Sequence, residues 1–186
     1  MRRRIGTSRF VQFVAAGVIG LVLCSRASAE VVTRTDLQAV ANALGFLDGL
    51  PSGGTPINVA VVYSDDNADA KTEAAQVAAE FGELEGPNRS PLHAIALNAK
   101  DMAQSTIHLN AMLILPSALS HAAAIADTAR RRHLVTISTD PSCMVQKCCV
   151  LMVHTAGRVR IVLDTAMADS VGASFSSVFE MMVERK

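Results

Sequence analysis

Residues Leu134–Met182, LVTISTDPSCMVQKCCVLMVHTAGRVRIVLDTAMADSVGASFSSVFEMM, contain the pattern that decides the fold. The apolar run LVTIS reads as a strand, and a loop with three cysteines follows it. Two further strands, Cys149–Val153 and Arg158–Leu163, are separated by the four residues His154-Thr155-Ala156-Gly157. A connection this short predicts a hairpin, and therefore an antiparallel pair of strands.

Two helices are predicted to close this segment. Thr165–Val171 is a short helix, and the apolar spacing of Phe175–Val183 indicates a final amphipathic one. We expect the inner face of the final helix to carry Phe175, Val178, Phe179 and Met182.

Upstream of this segment, strand and helix patterns alternate along the chain. The nearly continuous apolar run INVAVVY, Ile57–Tyr63, is typical of a strand buried on both faces of a parallel sheet. The remaining predicted elements are strands Leu92–Leu97, Ala111–Leu115 and Leu134–Ser138, and helices Thr35–Leu47 (capped by Thr35 or Asp36), Ala68–Phe81 and Ser117 or Ser120 to Arg132. The alternation predicts an α/β fold, a single three-layer domain with a mostly parallel sheet and a C-terminal antiparallel hairpin.

The first 29 residues have the three parts of a secretory signal peptide. Four arginines precede the apolar run Phe10–Cys24, and Ala27-Ser28-Ala29 follows it. We therefore expect cleavage after Ala29, a domain of residues 30–186, and a periplasmic location. An uncleaved membrane anchor is the alternative, but the run of 15 residues is shorter than the ~20 that a spanning helix requires.

The charge balance limits the classes of partner. Residues 1–29 contain five of the 17 Lys and Arg residues and none of the 17 acidic ones, so residues 30–186 carry about −5. Nucleic acids and anionic membranes both attract basic surfaces, so we expect neither as a partner. The cluster Arg130-Arg131-Arg132 is explained by its place at a predicted helix C-terminus.

Three cysteines, Cys143, Cys148 and Cys149, remain after the predicted cleavage and would enter an oxidising compartment. Neighbouring residues of a strand point to opposite faces, so only one of Cys148 and Cys149 can reach back to Cys143. We expect a disulfide between Cys143 and Cys149, with Cys148 buried. Free thiols are one alternative. A metal site with His154 is another, but the paired ligand spacing of zinc sites is missing, so no metal is expected.

Polar residues follow several predicted strands at their carboxyl ends, the edge at which open α/β sheets bind ligands. The candidates for a ligand or partner edge are Ser64, Asp65, Ser117, Ser138 and Asp140. Ordinary capping and turn formation is the alternative explanation for these residues. No glycine-rich phosphate loop follows a strand, and the histidines lack a catalytic spacing, so we expect neither a cofactor nor an enzyme.

The C-terminal third resembles the YfiR-like family of exported bacterial proteins. The matching residues are Ser138 and Asp140 after a strand, Arg158-Val159 and Ile161-Val162-Leu163-Asp164 in the hairpin, Ala166 and Ala168, and Ser176-Ser177 in the last helix. The resemblance implies a periplasmic, non-catalytic regulator that contacts a membrane-bound sensor protein, such as a diguanylate cyclase, and it is compatible with a homodimer.

A small-ligand periplasmic binding protein is the alternative function. The stretch INVAVVYSDD, followed by a helix, is similar to the opening strand and turn of transporter substrate-binding domains. Those proteins enclose their ligand between two lobes, whereas residues 30–186 suffice for one.

Overall fold

The computed structural model describes residues 32–66 and 68–186, so the predicted signal peptide, residues 1–29, lies outside the described residues. The described chain forms one α/β domain around a seven-stranded sheet, as predicted. The strands are β1 (Ile57–Tyr63), β2 (Leu92–Asn98), β3 (Ala111–Ile114), β4 (Val135–Ser138), β5 (Leu151–His154), β6 (Arg160–Leu163) and β7 (Glu184–Arg185). The helices are α1 (Arg34–Leu44), α2 (Ala70–Gly82), α3 (Ala122–Arg132), α4 (Ser142–Val145), α5 (Thr165–Val171) and α6 (Ser177–Met182), with 3-10 helices at Pro87–Arg89 and Pro116–His121.

The sheet has the strand order β2-β1-β3-β4-β5-β6-β7. Every neighbouring pair is parallel except β5 and β6, which run antiparallel with Leu151 opposite Leu163 and His154 opposite Arg160. The predicted hairpin is therefore confirmed. Strand β7 was not predicted, because two exposed polar residues carry no strand pattern and are extended only by pairing with β6.

Helices cover both faces of the sheet, which confirms the three-layer prediction. Helix α1 packs against α2, and α3 packs against α5. Ala60, Val61 and Val62 at the centre of β1 are fully buried, as expected for a strand covered on both faces. No helix among the described residues is long and apolar enough to span a bilayer.

Both boundaries of the predicted helix Thr35–Leu47 are wrong, since α1 spans Arg34–Leu44. Helix α1 begins at Arg34 because Thr33, rather than Thr35 or Asp36, caps it. The Thr33 hydroxyl accepts a hydrogen bond from the Asp36 amide at 3.2 Å, and the Asp36 carboxylate accepts one from the Thr33 amide at 2.9 Å. This reciprocal capping box fixes the start of the helix, and Gly45 follows its last residue.

The helix predicted from Ser117 or Ser120 begins instead as a 3-10 helix, Pro116–His121, before α3.

Strand β5 begins at Leu151 rather than Cys149. The amide of Val150 donates to both the carbonyl and the hydroxyl oxygen of Thr136, at 2.8 and 3.0 Å, so pairing with β4 starts only after the cysteines.

The predicted inner face of the final helix is partly wrong. Phe175 and Phe179 are buried, but Val178 and Met182 are 54% and 63% exposed. Helix α6 has only six residues, and its single inward ring, Phe179, stacks on Phe46 and Phe175 with centroids 4.9 and 5.3 Å apart. The chain then turns into β7, which leaves the other apolar side chains of α6 outside the core.

Candidate functional site at the carboxyl edge of the sheet

The strand order creates a topological switch point between β1 and β3. The chain leaves β1 toward β2 on one side, and β3 lies on the other side of β1. In open α/β sheets the connections that follow two such strands diverge, and ligands bind in the crevice between them. The carboxyl ends of β1 and β3 therefore define the candidate site.

Side chains from both connections meet at this point. His121, from the 3-10 helix after β3, places Nε2 3.2 Å from the Ser64 hydroxyl and 3.5 Å from Asp66 Oδ2. The Ser120 hydroxyl donates to the same Asp66 oxygen at 3.2 Å. Ser64 is fully buried, whereas Asp66 is exposed, so the contacts extend from the interior to the surface.

The end of the neighbouring strand β2 joins the same group. The Asn98 side-chain amide donates to the Asp65 carboxylate, and its Oδ1 accepts from the Lys100 amide at 2.9 Å. The Lys100 ammonium lies 3.6 Å from Asp66 Oδ1. We call the group Ser64, Asp65, Asp66, Asn98, Lys100, Ser117, Ser120 and His121 the switch-point cluster.

Ser117 differs from the other members of the cluster. Its Oγ is buried and has no hydrogen-bond partner among the described residues. A buried hydroxyl without a partner costs about 1–3 kcal/mol of desolvation free energy, so such a group calls for an explanation. A ligand at the switch point would supply one.

Hydrogen bonding sets the charge of the cluster. Bonds from Ser64 and Ser120, together with the Lys100 ammonium and His121, lower the pKa of the Asp66 carboxyl. Asp66 is therefore ionised at neutral pH. The cluster presents carboxylate acceptors beside an ammonium donor, an arrangement suited to a ligand with both signs of charge.

Two of the predicted edge residues, Ser138 and Asp140, lie at the end of β4 and just after it, and both have structural partners. The Ser138 hydroxyl donates to the Ile114 carbonyl at 2.9 Å and accepts from the Asp140 amide at 3.2 Å. The Asp140 carboxylate accepts from the Ser142 amide at 2.7 Å, at the start of α4. Turn and strand-end bonding, the alternative explanation, accounts for the observed contacts of both.

Sequence reasoning therefore placed Ser64, Asp65 and Ser117 at the edge and missed the residues that connect them. These are Asp66, Asn98, Lys100, Ser120 and His121. Strand-end position was a usable signal for Asn98, since β2 extends one residue beyond its predicted end. Nothing local marked His121, which is brought to Ser64 by the order of the strands.

The cysteine loop lies after β4 and has the predicted pairing of its cysteines. Cys143 and Cys149 form a disulfide with a Cα–Cα distance of 5.6 Å, and Cys148 is a buried free thiol. Burial raises the pKa of Cys148 to about 11, and the nearby Asp140 carboxylate contributes to the rise.

Among residues 32–66 and 68–186, no group of His, Cys, Asp and Glu side chains is placed to hold a metal ion.

Neither a family model nor a curated protein sequence matches the chain. Among solved structures, the chain is similar to a conserved domain protein from Vibrio cholerae, at 10% identity and a TM-score of 0.56, over 85% of this chain and 60% of that one. It is also similar to an ABC domain from Streptococcus pneumoniae solved in complex with L-Trp, at 9% identity and a TM-score of 0.54, over 82% of this chain and 59% of that one. At these identities the similarity shows a shared fold. The chain spans about three fifths of the length of either structure.

A second surface is formed by the hairpin and the last helix. A cavity of about 230 Å³ is lined entirely by apolar side chains, those of Phe46, Val159, Ile161, Phe179, Met182 and Val183. Beside it, Val159, Met181 and Met182 are 60%, 79% and 63% exposed. We call this cavity and the exposed side chains Val159, Val178, Met181 and Met182 the apolar corner.

Proposed function

We propose that the domain is a non-catalytic receptor for a small polar ligand, bound at the switch-point cluster. The observation that carries the proposal is the buried Ser117 hydroxyl, which has no hydrogen-bond partner among the described residues and belongs to the same 3-10 helix as Ser120 and His121. A ligand that supplies the missing hydrogen bond would be held in place by the surrounding charges.

The charges of the cluster favour an amino acid or a similar zwitterion. The carboxylates of Asp65 and Asp66 can accept from a ligand ammonium group. Lys100, His121 and the Ser117 hydroxyl can donate to a ligand carboxylate. The fold shared with a structure that holds L-Trp supports this class of ligand, although the likeness extends only to the fold.

A thermal-shift screen with the common L-amino acids tests the proposal. A ligand at 100 times its dissociation constant adds about 2.7 kcal/mol to the free energy of unfolding. We expect at least one amino acid to raise the melting temperature. If none does so at concentrations up to about 100 mM, the proposal is wrong.

Two serine variants separate binding from stability. Ser117→Ala removes a hydroxyl with no partner, so we expect undiminished stability and about tenfold weaker ligand binding. Ser138→Ala removes a hydroxyl bonded to Ile114, so we expect a loss of about 1 kcal/mol in stability and unchanged affinity. Equal ligand affinity of the two variants would count against the site.

The apolar corner favours a second function, docking to another protein. Large apolar side chains exposed together commonly mark an interaction surface. This agrees with the YfiR-type hypothesis of a regulator that contacts a membrane-bound sensor protein. With the purified periplasmic domain of a diguanylate cyclase from the same organism as probe, Met181→Glu should weaken binding at least tenfold. Ile107→Glu replaces another exposed apolar side chain and should leave this binding unchanged. Absence of binding by the unmodified protein would refute this second function.

A further inference from the structure

A sizeable cavity lies away from the switch-point cluster. It has a volume of about 530 Å³, within the range of small-molecule sites, about 300–1,000 Å³. Its walls come from the end of α1 and from the segment just before β2, and include Asn42, Phe46, Glu85 and Asn88. The switch-point residues follow the other end of β2, whose seven residues span about 20 Å.

Two glycines hold the walls of this cavity close together. A Cβ atom on Gly45 would lie 3.2 Å from Pro87 Cβ, and one on Gly86 would lie 2.9 Å from Leu92 Cδ2. After Pro87, Asn88 and Arg89 have φ values of 55° and 59°, a left-handed conformation uncommon outside glycine. The amide of Ser90 donates to the Pro87 carbonyl at 3.0 Å and closes this turn.

The electrostatics of the cavity disfavour anions. The C-terminal end of helix α1 lines the cavity, and its last turn has no basic residue to oppose the negative end of the helix dipole. The carboxylate of Glu85 adds a formal negative charge to the lining. A neutral or positively charged ligand is therefore favoured.

The polar side chains of the cavity match hydroxyl groups. The side-chain amides of Asn42 and Asn88 both donate and accept, as hydroxyls do, and the Glu85 carboxylate accepts. The Asn42 oxygen already accepts from Gln38 at 3.2 Å, which leaves its NH₂ group for a ligand. Phe46 adds an aromatic ring whose position is fixed by stacking on Phe179, and the negative face of such a ring attracts C–H groups.

We propose that this cavity binds a saccharide, either a neutral or an amino sugar. The hydroxyls would bond to Asn42, Glu85 and Asn88, and the C–H groups of the sugar ring would contact Phe46. This site is independent of the one proposed at the switch point.

Titration of the full-length ¹⁵N-labelled protein with glucose, glucosamine and glucuronate tests the proposal by NMR. We expect saturable amide shifts at Gly45, Phe46, Gly86 and Asn88 with the first two sugars. Glucuronate has the glucose skeleton with a carboxylate, so it should bind about fivefold more weakly or worse. Absence of saturable shifts with both glucose and glucosamine overturns the proposal, as does equal affinity for glucuronate.

A matched pair of variants locates the site. Asn88→Gly removes the amide while keeping a residue that tolerates positive φ, and should weaken sugar binding about tenfold. Ser120→Ala, in the switch-point cluster, should leave sugar binding unchanged. Sugar binding that is unaffected by Asn88→Gly contradicts the proposal, whereas amino-acid binding at the switch point should survive Asn88→Gly in either case.

Discussion

Asp36 connects two distant parts of the chain. Its carboxylate closes the capping box of α1 and accepts a hydrogen bond at 2.7 Å from the hydroxyl of Thr155, in the turn of the hairpin. Burial raises the pKa of this carboxyl, but the hydrogen bonds from Thr33 and Thr155 outweigh burial and lower it below its usual value. A single side chain thus joins the first helix to the antiparallel pair.

We expect Asp36→Asn to lower the free energy of unfolding by about 1–2 kcal/mol at neutral pH. Because the pKa of Asp36 is lower in the folded state, its contribution is full above the unfolded value of 3.8 and is lost as pH falls. Urea denaturation of both proteins from pH 7 to pH 3 should therefore show a shrinking difference. A difference that is constant or grows toward acid pH would contradict this role.

Cys148 is protected by its environment. With a pKa of about 11, about one thiol in a thousand is ionised at pH 8, and only the thiolate reacts. We expect iodoacetamide to leave Cys148 unmodified in the native protein and to modify it fully in urea, as measured by peptide mass mapping. Rapid alkylation of native Cys148 would show that the thiol is accessible and reactive.

At the scale of elements, the sequence predicted the bounds of those strands and helices that are set by their own residues and caps. β1 and α5 have their predicted bounds, because INVAVVY is apolar at nearly every position and Asp164 and Gly172 cap the two ends of α5. β7 could not be predicted, since its extended form depends on pairing with β6. The contact between Ser64 and His121 likewise depends on the order of strands, which no single stretch of sequence encodes.

The disulfide is the covalent element of the cysteine loop, and it links α4, through Cys143, to Cys149 just before β5. The half-cystines are six residues apart, and closing so short a loop in the unfolded chain stabilises the fold by about 2 kcal/mol. Cys143→Ser together with Cys149→Ser should lower the melting temperature measured by calorimetry. Cys148→Ala is the control for loss of a cysteine without loss of the bridge, and equal melting temperatures for the two variants would contradict this assignment.

At the scale of the whole molecule, the switch-point cluster would contact a ligand from one side, through side chains that follow β1, β2 and β3. One-sided sites bury less of the ligand, so we expect modest affinity, with a dissociation constant on the order of 10 μM to 1 mM. A partner that docks nearby would cover the exposed side of the ligand and raise the affinity.

Export remains a prediction at this scale. We expect protein isolated from its native cell to fractionate with the periplasm and to begin at Glu30, which the N-terminal peptide mass would show. Protein that retains residues 1–29 would instead support the uncleaved anchor.

The location of a bound amino acid tests the receptor proposal most directly. NMR titration with the best stabilising L-amino acid of the thermal-shift screen should shift the amides of residues 64–66, 98–100 and 117–121. Ser117→Ala should raise the ligand concentration at which those shifts are half-saturated about tenfold. Saturable shifts confined to other parts of the chain, or shifts that Ser117→Ala leaves unchanged, would contradict a ligand site at the switch point between β1 and β3.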